Sequence, residues 1–206
     1  MAFKTLLEHN ILGITNQIEL NQQEEIITKQ KAKLLFDSGD IEKLEIGTFS
    51  GLAEIHQYLF GDIYDFAGKI RQDNMSKGNT RFAPVIYLNE AVETVSKMPE
   101  STVEEIVEKY VEMNVAHPFR EGNGRATRIW LDLIFKKRFQ KVVDWNKISK
   151  DEYMGAMISS FNNDHDIKKL LTGALVDNVA KRSLYISGID VSYFYEGYSQ
   201  YRTEEV

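Results

Sequence analysis

The feature that most constrains this chain is the nine-residue run His-Pro-Phe-Arg-Glu-Gly-Asn-Gly-Arg at positions 117–125. Pro118 ends the helical pattern that precedes the run. Gly122, Asn123 and Gly124 can all enter the positive-φ conformations that strain most other residues. Apolar residues at helical spacing follow, which predicts a helix from about Arg125 to Phe139. The run therefore predicts two helices joined by a tight loop whose backbone N–H groups converge on an anion nest.

The charged side chains of the run favour chemistry on a nucleotide phosphate. Arg125 and Arg128 are three residues apart, so they share a helical face and can grip two different phosphate oxygens. Glu121 would repel phosphate without a cation between them, and Mg²⁺ commonly binds through one carboxylate plus substrate phosphates. A neutral His117 can take a proton from a hydroxyl that attacks phosphorus. A lone His before Pro is more often a helix-end residue, so the specificity comes from the whole run.

The run resembles the signature of the Fic family, His-x-Phe-x-(Asp/Glu)-Gly-Asn-Gly-Arg-x-x-Arg, and matches every position. Residues 63–71 (Ile-Tyr-Asp-Phe-Ala-Gly-Lys-Ile-Arg) also resemble the segment that leads into the family's active-site flap, so the similarity extends over about 48–180. It implies a mainly α fold, a compact Fic-type helical bundle with a short β-hairpin flap. The expected organisation is a single Fic domain over 1–206, with N-terminal helices at 1–47, a catalytic core at 48–181 and a C-terminal inhibitory helix at about 188–200.

The resemblance implies a protein adenylyltransferase, which moves AMP from ATP to a Tyr, Ser or Thr hydroxyl of a target protein. By that analogy His117 deprotonates the hydroxyl, and Glu121 holds Mg²⁺ (or Mn²⁺) against the α- and β-phosphates. The backbone of residues 122–124 and Arg125 would stabilise the departing pyrophosphate, and Arg128 would hold the γ-phosphate. Such catalysis is mainly positioning and electrostatics.

Near the C-terminus, Ser192-Tyr-Phe-Tyr-Glu196-Gly resembles the Ser/Thr-x-x-x-Glu-Gly/Asn inhibition motif of a Fic subclass that carries it after the core (class III-like). By analogy Glu196 pairs with Arg128, which would remove the γ-phosphate clamp and add negative charge where phosphate should lie. The chain is thus expected to be autoinhibited. Tyr193 is the first candidate for self-modification, weighed against a packing role.

Two other functions stay open. The same residues would serve a phosphodiesterase that removes AMP from a modified protein, alone or together with AMP transfer, with Glu196 orienting water. A non-catalytic nucleotide-binding or toxin-neutralising module is disfavoured, because a pure binder needs neither His117 nor Glu121. The target protein and the type of acceptor hydroxyl are undetermined. Homo-oligomerisation that masks or frees the terminal helix would be one means of control.

Composition agrees with a soluble enzyme. The chain has no cysteine, which excludes disulfides and thiol catalysis, and its 31 acidic against 25 basic residues argue against a nucleic-acid partner. Neither end has an apolar run suited to a signal peptide or membrane span, so the expected location is the cytoplasm, with export by another signal still open.

Coarse patterns place these motifs on structure. Capping boxes are expected at Ser101/Glu104 and Ser149/Glu152, and helices over 19–37, 48–60 and about 166–181. Residues 70–87 break the pattern, with a turn at Lys77-Gly78-Asn79-Thr80 that predicts a hairpin. By resemblance this flap aligns the hydroxyl-bearing segment of the target through strand-like pairing. Lys77 and Asn114, the latter one turn before His117, are expected to be further nucleotide contacts, whereas surface or packing roles are expected for His9, His56 and His165.

Overall fold

The computed structural model describes residues 5–78, 80–177 and 179–206, and within them the chain is mainly helical, as predicted. The helices are α1 (Leu6–His9), α2 (Gln17–Asp37), α3 (Phe49–Phe60), α4 (Leu88–Ser96), α5 (Val103–Ala116), α6 (Asn123–Phe139), α7 (Lys150–Ser160), α8 (His165–Ala174) and α9 (Arg182–Tyr195). Short 3-10 helices lie at Asp40–Lys43, Val85–Tyr87 and Trp145–Lys147. The strands are β1 (Ser76–Lys77), β2 (Thr80–Arg81), β3 (Val142–Val143) and β4 (Leu175–Val176).

Helix α6 is the centre of the bundle and packs against α3, α5 and α9. Its buried residues occur on all sides, and Trp130, Leu131, Ile134 and Phe135 are fully buried, because the helix is enclosed by neighbours. Because neighbouring helices enclose α6, its N-terminal turn, which begins at Asn123, is held in place. The motif of residues 117–125 forms the loop before that turn and the start of the turn itself.

The start of α5 differs by one residue from the prediction. The capping box uses Thr102 and Glu105, not Ser101 and Glu104: Thr102 Oγ1 accepts from the Glu105 N–H at 3.1 Å, and Glu105 Oε2 accepts from the Thr102 N–H at 3.1 Å. Ser101 and Thr102 both stand three residues before a glutamate, so the spacing alone fitted either. The box predicted at Ser149 and Glu152 is confirmed.

Two antiparallel pairs of short strands complete the fold. The pairing of β1 with β2 (Ser76 with Arg81, Lys77 with Thr80) confirms a hairpin within 70–87, although its paired arms are only two residues long. Asn79 of the predicted turn lies outside the described residues. Strand β4 pairs with β3 and follows α8 directly, so the helix predicted over 166–181 ends at Ala174.

Helix α9 begins at Arg182 and ends at Tyr195, earlier at both ends than the expected 188–200. Residues 196–206, here called the terminal segment, then return along α2. The backbone N–H groups of Gln200 and Tyr201 donate to the Glu25 carboxylate at 3.3 and 3.2 Å, and Lys29 donates to the Tyr201 carbonyl oxygen. Helix α2 therefore holds both α9 and the terminal segment. None of the described helices has the length and hydropathy needed to cross a membrane.

Candidate active site

His117 caps the C-terminal end of α5 in a left-handed conformation (φ 49°, ψ 62°). Its N–H donates to the Met113 carbonyl oxygen at 3.0 Å, and its own carbonyl oxygen accepts from Arg71 Nε at 2.7 Å. The imidazole lies against the Phe82 ring, with centroids 3.6 Å apart and planes 10° apart. Burial, assisted by the positive charge of Arg71, lowers the pKa of His117 to about 4. The ring is therefore a neutral base at physiological pH.

Arg71 fixes this region and was not singled out from the sequence. It is 4% exposed, and its guanidinium donates to the carbonyl oxygens of His117, Asp73, Ala83 and Ala116 at 2.6–3.1 Å. It thereby joins the end of α5 to the segment that carries the β1–β2 hairpin. Only its place in the resemblance to the flap-leading segment pointed to it.

The loop after His117 begins α6 through Gly122, whose φ is 77°. Of the three small residues expected to reach positive φ, only Gly122 does so, because Asn123 and Gly124 already belong to the first turn of α6. A Cβ at Gly122 would also lie 2.4 Å from Phe60 Cζ. The anion nest thus consists of a helix N-terminus entered through one left-handed glycine.

Asn123 stabilises the loop with its side chain. Its Oδ1 accepts from the Phe119 N–H at 2.9 Å and its Nδ2 donates to the Phe119 carbonyl oxygen at 2.7 Å. The residue is 3% exposed. Only its backbone is therefore available to a ligand, in agreement with a nest made of main-chain groups.

His56 holds the same loop from the α3 side. Its Nδ1 accepts from the Gly68 N–H at 2.9 Å, so Nε2 carries the proton and donates to the Glu121 carbonyl oxygen at 2.8 Å. The ring stacks on Phe60 and Phe119, with centroids 4.6 and 3.9 Å away, and burial lowers its pKa to about 3. His56 thus has a packing role, one of the two roles expected for it, and it also orders the backbone of the motif.

Arg128 makes four hydrogen bonds within the site, one of them in an ion pair. Its Nε and Nη2 donate to Ser192 Oγ (2.7 Å) and to the Ser192 carbonyl oxygen (2.9 Å), Nη1 donates to Tyr153 Oη (3.2 Å), and Nη2 pairs with Glu196 Oε1 (2.8 Å). The structure thus brings together Arg128, Ser192 and Glu196, which the sequence predicted as a group. Although burial alone raises the pKa of Glu196, the charge of Arg128 lowers it to about 2.

Gly124 allows this close approach. A Cβ there would lie 2.2 Å from Glu196 Oε1 and 3.0 Å from Arg128 Nη1. The carboxylate of Glu196 therefore lies directly over the first turn of α6, at the expected anion nest.

Arg125 is held differently from what the sequence predicted. It is 1% exposed, with Nη1 2.6 Å from Glu24 Oε1 and Nη2 3.0 Å from Glu121 Oε1. Both Nη groups of its guanidinium are therefore engaged by carboxylates in this conformation, while Nε is buried without a hydrogen-bond partner among the described residues. Glu24, which lies on α2, was missed because nothing in the local pattern of that helix marks it as buried.

Glu121 retains one oxygen for a ligand. Oε1 accepts from Arg125 and from the Gly122 N–H (2.9 Å), whereas Oε2 has no hydrogen-bond partner among residues 5–78, 80–177 and 179–206. The side chain is 36% exposed and lines the cleft. Across those same residues no three His, Asp or Glu side chains gather in a metal-binding cluster. A carboxylate oxygen open at an anion nest fits a cation held jointly with substrate phosphates.

Lys77 and Asn114 both line the cleft. Lys77 Nζ is 3.7 Å from Glu196 Oε2 and its side chain is 68% exposed, so it is free to reach a ligand. Asn114 donates from Nδ2 to the Tyr110 carbonyl oxygen at 2.8 Å. Both face a cavity of about 460 Å³ that His117, Gly124, Arg128 and Glu196 also line.

Tyr193 is not exposed, contrary to the premise of the self-modification hypothesis. It is 1% exposed and its hydroxyl is buried. Its ring lies 5.3 Å from the Arg125 guanidinium, so it packs α9 onto the bundle. In this conformation Tyr193 is inaccessible as an acceptor.

The comparisons with known proteins agree with this geometry. Residues 48–135 match the model of the Fic/DOC family. The chain is 26% identical over 185 residues to the protein adenylyltransferase VbhT of Bartonella schoenbuchensis, covering 82% of this chain and 37% of VbhT. It is 27% identical over 169 residues to the probable protein adenylyltransferase y4lH of Sinorhizobium fredii, covering 75% of this chain and 83% of y4lH.

Among solved structures, BepC of Bartonella tribocorum with bound AMPPNP superposes with a TM-score of 0.68 at 18% identity, over 85% of this chain and 95% of that one. This likeness confirms the expected fold. The family match over residues 48–135, the curated relatives and the shared fold agree that this chain is similar to Fic proteins.

Proposed function

We propose that the chain transfers AMP from ATP to a hydroxyl side chain of a target protein. The observation that carries the proposal is the neutral imidazole of His117 in the same cleft as Glu121, the first turn of α6 and Arg128. A base, a cation ligand, an anion nest and an arginine in one cleft are the parts that transfer of a nucleotidyl group requires. The curated relatives VbhT and y4lH, named protein adenylyltransferases, support the same chemistry.

In this reaction the target oxygen forms a bond to the α-phosphorus while the bond to the β-phosphate oxygen breaks and pyrophosphate leaves. His117 accepts the proton of the hydroxyl, so no covalent enzyme intermediate is needed. The N–H groups at the start of α6 stabilise negative charge on the phosphates. A Mg²⁺ or Mn²⁺ ion held by Glu121 would neutralise phosphate charge.

The remaining cleft suits the other parts of the two substrates. Met154, Met157, Ile158 and Phe161 form an apolar wall in the cavity that His117 lines, and such a wall fits a flat base. The β1–β2 hairpin borders the same cavity through Lys77 and Thr80. We propose that this hairpin aligns the target segment that bears the acceptor hydroxyl.

The Arg128–Glu196 ion pair is proposed to inhibit the transfer. Glu196 occupies Arg128 and lies over Gly124, so an incoming γ-phosphate meets a carboxylate instead of a free guanidinium. With a pKa of about 2, Glu196 stays ionised at physiological pH, so the pair opens by displacement and not by protonation. A misplacement of the phosphates by about 1 Å can lower the rate on the order of 10²-fold.

The decisive experiment compares wild type, Glu196→Gly and His117→Ala/Glu196→Gly, incubated with Mg²⁺ and α-labelled ATP in the presence of target-bearing lysate. Protein-bound label of AMP mass is expected to rise about 10²-fold in Glu196→Gly. It should disappear in the double variant, which lacks the base. Absence of label from every variant would remove the transferase proposal.

The second candidate is removal of AMP from a modified protein. Glu196 lines the same cavities as His117 and is 20% exposed, so its carboxylate can orient a water toward a bound phosphodiester. This activity requires Glu196, whereas AMP transfer is hindered by it. Glu196→Gly should therefore raise transfer and abolish removal, and loss of both would contradict the scheme.

A further inference from the structure

Arg125 joins two carboxylates that come from distant parts of the chain. Nη1 is 2.6 Å from Glu24 Oε1 on α2, and Nη2 is 3.0 Å from Glu121 Oε1 in the motif loop. Both Arg125 and Glu24 are 1% exposed, whereas Glu121 is 36% exposed. Glu121 is therefore the member of the three with a side chain substantially exposed in the cleft.

Aromatic rings hold the guanidinium in one orientation. Its central carbon lies 4.8 Å from the ring centroids of both Phe60 and Tyr198 and 5.3 Å from that of Tyr193. Burying this charge is costly without partners, and the two carboxylates supply them. Arg125 is thus unable to turn toward a ligand without leaving Glu24.

Glu24 is itself fixed by two tyrosines. Tyr198 Oη donates to Oε1 at 2.7 Å, and Tyr64 Oη donates to Oε2. Every oxygen of this carboxylate is engaged inside the bundle, so Glu24 is an anchor and not a ligand. Tyr198 belongs to the terminal segment, two residues after Glu196.

This chain of contacts sets the direction of Glu121. Oε1 is held by Arg125 Nη2 and by the Gly122 N–H, which leaves Oε2 without a hydrogen-bond partner among the described residues, and the Glu121 side chain lines the cleft. Without Glu24, both Nη groups of Arg125 would be available to Glu121, and a bidentate pair would occupy Oε2 as well. A cation would then have to compete with Arg125 for that oxygen.

We propose that Glu24 and Arg125 are positioning residues that keep Glu121 Oε2 open for a divalent cation, and that Arg125 does not itself bind phosphate. The inference rests on the proposed role of Glu121 in nucleotide binding. Groups that orient a metal ligand typically change metal affinity by about 10–100-fold when they are replaced.

The test measures binding without turnover. In a His117→Ala/Glu196→Gly parent, the Kd for ATP is determined by calorimetry in Mg²⁺ and in EDTA, and the ratio of the two is the metal-linked gain in affinity. Glu24→Gln is expected to lower this gain about tenfold while changing the Kd in EDTA less than about twofold. Glu121→Gln should abolish the gain, and adding Glu24→Gln to it should have no further effect.

Glu25→Gln is the matched control. Glu25 is the adjacent residue on α2 and is 3% exposed, but it contacts Lys29 and the terminal segment instead of Arg125. Its substitution removes a buried carboxylate in the same way and should leave the metal-linked gain unchanged. If circular dichroism shows that Glu24→Gln does not fold, Arg125→Lys takes its place in the test. Lysine has no guanidinium fork to bridge two carboxylates, so this variant should show the same loss of metal-linked gain.

Three results would overturn the inference. The first is that Glu24→Gln weakens ATP binding equally in Mg²⁺ and in EDTA, or that Glu25→Gln loses as much of the metal-linked gain as Glu24→Gln does. Either outcome would indicate a general structural effect. The second is an unchanged gain in Glu24→Gln or, where that variant does not fold, in Arg125→Lys. The third is a parent that binds ATP equally with and without Mg²⁺. A different result separates the two proposals. If the metal-linked gain depends on Glu24 but the chain transfers no AMP, the proposed reaction is wrong and the positioning role of Glu24 stands.

Discussion

The imidazole of His117 is stacked against Phe82, a ring of the hairpin segment, which covers one of its faces. Because burial is the largest cause of its low pKa, Phe82→Ala should raise that pKa from about 4 toward the ordinary 6.5. The measurement is an NMR titration of the His117 ring protons. Phe161→Ala is the control, since that ring lies 6.3 Å from Phe82 and is not stacked on His117. An unchanged pKa in Phe82→Ala would contradict the proposed shielding.

His56 should make the stability of the protein depend on pH. Its pKa is about 3 in the folded protein and 6.5 ordinarily, so the unfolded chain binds the proton first as pH falls. Its contribution is complete above pH 6.5 and is lost as pH falls toward 3, on the order of 5 kcal/mol over the whole window.

Urea unfolding between pH 8 and pH 4 tests this dependence. In His56→Gln the unfolding free energy should fall less steeply as pH is lowered. The substitution itself should cost about 1–3 kcal/mol at pH 8, because it alters the hydrogen bonds of this side chain. His165→Gln, at an exposed position, should leave the slope as it is. A slope that is the same in wild type and His56→Gln would refute the assignment.

The start of α5 offers a matched pair of substitutions. Thr102→Ala removes the hydroxyl that caps the Glu105 N–H, so it should lower the unfolding free energy by about 1 kcal/mol. Ser101→Ala should have almost no effect, because Ser101 contributes only its backbone N–H to Glu105. Urea denaturation measures the unfolding free energy of both variants. An equal loss of unfolding free energy in Thr102→Ala and Ser101→Ala would contradict the observed cap.

The main helices could be predicted because their signals are local: apolar spacing, a capping residue and Pro118 as a terminator. The positions of single caps were less certain, since Ser101 and Thr102 carry the same spacing to a glutamate. The β1–β2 arms are too short to give an alternating pattern. Their place is fixed by Arg71, whose partners are backbone oxygens far along the chain. Such contacts leave no trace in local composition.

Helix α2 links the N-terminal part of the chain to the site. Glu24 and Arg125 are 101 positions apart, and Lys29 and Asp190 are 161 apart. Glutamate and lysine on a helix are usually exposed, so no local pattern indicates that these side chains lie inside the bundle. The motif of residues 117–128 could be predicted as a unit, but its support from α2 could not.

Lys29 should therefore influence the site from a distance. It is 1% exposed and lies 3.1 Å from both Glu25 and Asp190, while it donates to the Tyr201 carbonyl oxygen. Lys29→Met leaves buried carboxylates without their partner and should cost about 3–5 kcal/mol. We expect faster hydrogen exchange in the terminal segment and, with Glu196 still present, more AMP label than in wild type.

Lys31→Met provides the comparison for this variant. Lys31 lies on the same helix, and its partly exposed ion pair with Asp62 is worth about 0–1 kcal/mol. Neither exchange in the terminal segment nor labelling should change in it. Labelling that stays at the wild-type level in Lys29→Met, despite faster exchange, would separate the terminal segment from control of the site.

The contact between Gly124 and Glu196 also has an evolutionary consequence. A methyl group at position 124 and the carboxylate of Glu196 cannot occupy the same space. In a lineage that had lost the glutamate, position 124 would become free to accept alanine, and restoring the glutamate alone would then fail to rebuild the ion pair. Loss of this contact is thus a step that later substitutions can make irreversible, because two positions 72 residues apart would have to revert together.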